Sequence, residues 1–112
     1  MSSNYWIFED YFIFKPYFNE SLDDYIDIIK NYKILIFSNY DDFRICIETK
    51  NFYGDKYDVN WKESKFNQPL NNSLDNLAQL QELTFGNNFD QPLNNSLDNL
   101  TQLQELTFGN NF

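Results

Sequence analysis

Histidine is absent from the 112 residues, and cysteine occurs once, at Cys46. The first absence removes the commonest general base and the commonest metal ligand. The second excludes an intrachain disulfide and a cysteine-based metal site, and fits a reducing compartment. Positive charge is scarce: eight lysines and arginines stand against 17 acids, a net charge of −9. Nucleic acid and anionic membrane surfaces require a cationic footprint, so neither is an expected partner. No apolar run approaches membrane-spanning length. "YWIFEDYFIF" (residues 5–14) is broken by Glu9 and Asp10 and lacks the basic flank of a secretory signal. The expected setting is intracellular. No phosphate-binding loop, dinucleotide fingerprint or nucleophile elbow occurs.

Hydrophobic residues, at 42%, are enough for a core, and 20% of the chain is aromatic. All eight tyrosines, both tryptophans and every lysine and arginine lie before residue 66. From Phe66 onward the chain uses leucine and phenylalanine instead and carries only acids: Asp75, Glu82, Asp90, Asp98 and Glu105. This shift divides the chain near Lys65 into an N-terminal capping region, 1–65, and a second region, 66–112.

The second region is one sentence written twice. "FNQPLNNSLDNLAQLQELTFGNN" (66–88) is followed at once by "FDQPLNNSLDNLTQLQELTFGNN" (89–111), and Phe112 repeats the opening residue. The copies differ only at Asn67 against Asp90 and Ala78 against Thr101. A fixed period of this length signals a solenoid. Within the first copy the apolar residues Phe66, Leu70, Leu74, Leu77, Leu80, Leu83 and Phe85 are spaced 4, 4, 3, 3, 3 and 2. Steps of three to four suit helical or 3-10 turns, and a closing step of two suits a short strand. Each copy therefore reads as one coil: a helical or irregular return arm through 71–79, a strand near 81–85 (104–108 in the second), and a GNN turn whose residues tolerate left-handed backbone.

Stacking is what gives such a coil a core. Leu83 should then meet Leu106, Phe85 should meet Phe108, and Phe66, Phe89 and Phe112 should form a second aromatic column. For Asn88 and Asn111 two readings stay open: an inward hydrogen-bond ladder to the neighbouring coil's backbone, or plain turn residues facing solvent. Two coils are fewer than a solenoid needs, so residues 1–65 must supply a cap and much of the core. The expected fold is α/β: a short leucine-rich-repeat-like solenoid of two 23-residue coils with an N-terminal α+β cap.

"LQELTFGNN" (80–88 and 103–111) resembles the leucine-rich pattern LxxLxLxxN, with Phe in the third apolar slot. The whole unit is similar to an FNIP repeat, of the kind found in social amoebae and in giant viruses that infect amoebae. Gln68 and Gln91 replace the namesake Ile, a variant that looks like the viral form. The resemblance covers 47 of 112 residues. It implies a protein-interaction role and a setting in the host cytoplasm. Many relatives join such repeats to an F-box, which would make a Skp-type ubiquitin-ligase adaptor a partner and ubiquitination of a recruited protein the outcome. Residues 38–61 resemble the second half of a degenerate F-box, with Lys50 followed by an aromatic and a late Trp61. The Leu-Pro opening of an F-box is absent.

Read by itself, the N-terminal region offers a helix over 22–32. Ser21 caps it, Asp23 and Asp24 occupy its first turn, and Leu22, Tyr25, Ile26, Ile29 and Tyr32 share one face. "KILIF" (33–37) reads as a buried strand. "FRICIE" (43–48) alternates as a strand does, yet Asp41 or Asp42 before it would cap a helix, and both assignments stay open. Residues 5–14 read either as two short strands about Glu9-Asp10 or as one sticky edge segment, expected to pack on the first coil.

Little of this points to catalysis. Cys46 has no candidate base and reads as a small buried residue. The pairs Glu9-Asp10, Asp23-Asp24 and Asp41-Asp42 suit turns and helix starts better than acid–base work. "GNNFD" (86–90) has one carboxylate and lacks the paired glycines of calcium-binding repeats, so no metal or cofactor is expected. The surface left is the outer strand face. With Leu83 and Phe85 inward, Glu82 and Thr84 point out, as do Glu105 and Thr107, flanked by Gln81 and Gln104. This mildly acidic strip is the expected protein-binding surface. The last coil, with its strand edge and apolar end, is a candidate for self-association. A decayed or fragmentary repeat protein with little independent function is the alternative.

Overall fold

The acidic break in residues 5–14 is a hairpin turn. In the computed structural model, which describes residues 4–52 and 61–109, Tyr5–Phe8 (β1) and Tyr11–Phe14 (β2) pair antiparallel, with Trp6 opposite Ile13 and Phe8 opposite Tyr11. Glu9 takes the left-handed conformation, φ 51°, that reverses the chain. The hairpin shares its core with the first repeat, but neither of its strands pairs with a repeat strand. β2 pairs in parallel with Ile34–Phe37 (β3), and β3 pairs in parallel with the first repeat strand, Glu82–Thr84 (β4). The second repeat strand, Glu105–Thr107 (β5), lies parallel to β4. The result is an α/β fold around one five-stranded mixed sheet in chain order, β1 to β5.

The helix expected over 22–32 is shorter and split. Leu22–Asp24 form a 3-10 turn, capped by Ser21, whose hydroxyl accepts from the Asp23 N–H at 3.2 Å. Ile26–Ile29 (α1) form a single α-helical turn, with Tyr25 between them. The spacing explains why. An α-helix drifts by about 60° for every step of three residues, whereas a three-residue turn keeps such a row on one face. The return arm of the first repeat obeys the same geometry. Ser73 donates to Leu70, Leu77 to Leu74 and Leu80 to Leu77, each an N–H to the carbonyl three residues back.

This likeness extends to the whole segment. Phe18, Leu22, Ile26, Ile29, Tyr32, Leu35 and Phe37 are spaced 4, 4, 3, 3, 3 and 2, as the apolar residues of each repeat are. The sheet register agrees. Phe12 faces Leu35 and Leu83 faces Leu106, each partner one repeat period further along the chain. Leu35 faces Leu83 across a longer interval, which takes in residues 41–65. Hydrogen bonds recur in the same way. The Asn19 Oδ1 accepts from the Asn67 N–H at 2.9 Å and from the Gln68 amide at 3.0 Å. One unit later, the Asn67 Oδ1 accepts from the Asp90 N–H at 2.8 Å and the Gln91 amide at 3.0 Å. The carbonyls of Asp10, Lys33 and Gln81 each accept two N–H groups from the next strand's start. Residues 18–40 thus hold the positions of a further unit, and 41–65 are extra chain inserted at one of its corners.

Phenylalanine fills the corner of every unit. Phe14, Phe37, Phe85 and Phe108 stack at 5.2, 5.5 and 5.4 Å between ring centres, within 11° of parallel. Phe18, Phe66 and Phe89 form a second column at 5.7 and 5.9 Å. Phe112 and Asn111 lie outside the described residues. Asn88 turns inward, its amide donating to the Ser64 carbonyl at 2.8 Å. Gly86 is obligatory for closeness: a Cβ there would overlap the side chain of Ser64.

One core runs through Lys65. Phe12, Phe14, Leu35 and Phe37 from the first region share it with Leu70, Leu74, Leu83 and Phe85 from the repeats. The change in composition is therefore not a division of the sheet. Leu106, expected in the core, is 38% exposed, and Phe108 is half-buried. Among the described residues β5 has a strand neighbour on one side only, so its inner face is half covered.

Candidate functional site

Strand alternation gives the sheet a second face. Phe12, Phe14, Leu35, Leu83 and Phe85 point into the core. The residues between them in register, Tyr11, Ile13, Ile34, Ile36, Glu82, Thr84, Glu105 and Thr107, belong to the other side. The extra chain at 41–52 folds onto part of that side. Residues 43–48, left open between strand and helix, lie within a helix, Phe43–Thr49 (α2). The Asp42 carboxylate accepts from the Arg44 N–H at 2.9 Å and the Ile45 N–H at 3.4 Å, so the cap outweighs the alternating pattern. Phe43 packs on Trp6 and Phe8 at 5.6 and 5.7 Å, and Ile13 and Ile36 are buried. Within 38–61 the described residues form this helix and an antiparallel bridge between Tyr40 and Trp61; residues 53–60 lie outside the described residues.

Lys50 ends α2 in a left-handed conformation, φ 53°, and swings the next residues toward the uncovered strands. The Asn39 N–H donates to the Phe52 carbonyl at 2.8 Å and holds the segment there. A groove of about 280 Å³ results. Its floor is Ile36, Thr84, Thr107, Glu82 and Glu105, and its walls are Tyr11, Lys50, Asn51 and Phe52. Four residues of the expected strip, Glu82, Thr84, Glu105 and Thr107, are thus brought together. Gln81 and Gln104 do not line the groove. They precede the strands, and their backbones serve the ladder: the Gln104 N–H donates to the Gln81 carbonyl at 2.8 Å.

Charge in the groove is unbalanced. Parallel register places Glu82 directly beside Glu105. Burial pushes the Glu82 carboxyl above its usual range, and a hydrogen bond to Glu105 and that residue's charge add to the rise. Lys50 opposes it. The Lys50 ammonium, however, sits over the Tyr11 ring, 5.6 Å from its centre. Tyr11 and Phe52 approach at 6.1 Å and form an aromatic wall.

The groove's walls escaped the sequence reading. Tyr11 and Ile36 join the face only through strand pairing, and Lys50–Phe52 only through the left-handed end of α2. A signal did exist for the pairing, since the spacing of 18–37 repeats that of 66–85.

Other chemistry-bearing residues are engaged elsewhere. Cys46 is fully buried, its sulfur 3.0 Å from the Ser38 hydroxyl, and burial pushes its thiol up to about 11. It remains a protonated thiol at neutral pH. Asp23 accepts from the Ser73 hydroxyl at 2.8 Å, joining two units, and Asp42 caps α2. Among the described residues no group of three or more acids and cysteines is placed to hold a metal ion, and no helix is long and apolar enough to cross a membrane. A wider concavity lies between the two return arms, lined by Asn71, Asn72, Asp75, Asn94, Asn95 and Asp98 with their neighbours. It repeats one polar surface twice and has no aromatic wall. No family model, no curated protein and no solved structure matches the chain.

Proposed function

We propose that this chain is a non-catalytic protein-binding module of the FNIP-repeat type, a short leucine-rich-repeat-like solenoid that binds its partner on the outer strand face. The observation that carries this reading is the groove over β4 and β5. It joins unbalanced charge, half-buried at Glu82 and exposed at Glu105, to an aromatic wall of the kind enriched at recognition surfaces. The recurring register and the stacked phenylalanines support the solenoid. Its stiffness would hold the groove in one shape, so binding would not have to order the surface.

The test compares the tagged full-length protein with a Glu82→Lys/Glu105→Lys variant in amoebal lysate. Both changes are on the outer face, so thermal melts of the two should agree within a few degrees. A partner retained saturably by the parent and lost from the folded variant is the expected result. Equal retention by both would remove the groove as the interface, and no retention by the folded parent would count against a binding role.

A further inference from the structure

We infer that the groove takes an extended partner segment carrying a lysine or arginine, whose cationic head sits over the Glu82–Glu105 pair; this rests on the protein-binding reading above. Three observations on one surface lead there. Register forces the two carboxylates side by side, and among the described residues neither is in an ion pair. A cation seated over the pair relieves both carboxylates at once. The rest of the floor is uncharged, with Thr84, Thr107 and Ile36, so an anion finds no favourable seat.

The chain itself displays the fitting chemistry. Lys50 reaches the same groove from α2, its ammonium on the Tyr11 ring and its charge felt by Glu82. It covers the β2 side and leaves the Glu105 side open. A second cation entering over β5 would lay its aliphatic stem along Thr84 and Thr107 and complete what Lys50 begins. The groove's volume, about 280 Å³, suits one or two side chains of a strand rather than a folded loop. The chain's negative balance adds attraction at longer range, since residues 66–112 contain no lysine or arginine.

The probe is a phage-displayed library of random octapeptides selected on the full-length protein, with groove occupancy read from the backbone amide shifts of Glu82, Thr84, Glu105 and Thr107. The expected outcome is enrichment of lysine or arginine among peptides that shift these amides. Synthetic versions should bind about fivefold more weakly to Glu105→Gln, and more weakly still as salt is raised. Groove-binding peptides with no basic enrichment, or with unchanged affinity for Glu105→Gln, would overturn the cationic partner and leave the groove standing as an interface. Peptides that never shift these amides would overturn both. Amide shifts that depend on protein concentration alone would assign the groove to a second copy of the chain and overturn the proposal.

Discussion

Glu82 shows how repetition constrains single residues. A unit copied with 21 of 23 positions unchanged places like beside like in a parallel sheet. For Leu83 and Leu106, or Phe85 and Phe108, that builds a core. For Glu82 and Glu105 it sets two carboxylates together, a destabilising arrangement. The folded chain consequently holds the Glu82 proton more tightly than the unfolded chain does. Stability from this pair is fully present below the ordinary carboxylate range and falls as pH rises through the raised value. Glu105→Gln should therefore raise the melting temperature at pH 7 by a few degrees, about 0.2–1 kcal/mol for so exposed a pair. The gain should vanish on approaching pH 4. A gain of equal size at both pH values would mean that repulsion is not its source. Asparagine is the counter-case, because Asn19 and Asn67 repeat usefully: an amide both donates and accepts, so each can serve the next unit.

At the scale of elements, the repeat strands and β3 are legible in the sequence, the hairpin is one of two readings it leaves open, and the return arm's spacing suits helical and 3-10 turns alike. β3, β4 and β5 follow from β-branched or alternating residues, and the hairpin reading from the acidic break. The 3-10 turns at 22–24 and along the return arm share their spacing with an amphipathic helix, and only neighbouring units decide between them. Stacked phenylalanines join the elements. Phe37 lies midway, 5.2 Å from Phe14, 4.2 Å from Phe66 and 5.5 Å from Phe85. Phe37→Ala should cost about 3–5 kcal/mol, read from the urea midpoint. Phe108→Ala, at a half-buried position, should cost distinctly less. Equal costs would mean that the column does not act as a continuous core. The cap on α2 decided a segment whose side-chain pattern read two ways, since a carboxylate holding two N–H groups outweighs a weak alternation.

At the scale of the whole molecule, the described strands form one five-stranded sheet in chain order, with parallel partners at intervals of 23 residues except between β3 and β4. Residues 41–65 separate two units that otherwise succeed each other at the repeat period, and they lay α2 over a face that β4 and β5 leave open. Joining Tyr40 to Phe66 would restore the interval. This deletion uncovers Ile13 and Ile36, which stand in the register positions of Thr84 and Thr107. Each would lose about 1.5–3 kcal/mol of burial, so the deletion should be made with Ile13→Thr and Ile36→Thr. The expected product keeps its strand signal in circular dichroism and melts in one cooperative transition. A chain without a cooperative melt would show that the extra residues hold the stack together. The groove should lose its Lys50–Phe52 wall in this variant, and with it any partner.

Sequence alone determined the period, the inward leucines and phenylalanines, and the outward Glu82, Thr84, Glu105 and Thr107, because strand alternation and exact repetition are local properties. It also carried the spacing of the diverged unit at 18–37, which near-identity elsewhere overshadowed. Only tertiary structure decided that β3 stands beside β4 despite the chain inserted between them, that Ser64 and Asn88 close the corner beside Gly86, and that Tyr11, Lys50 and Phe52 meet the acidic strip. Those are contacts between segments far apart in the chain. They arise from which surfaces bury each other, and no window of sequence contains both sides of such a contact.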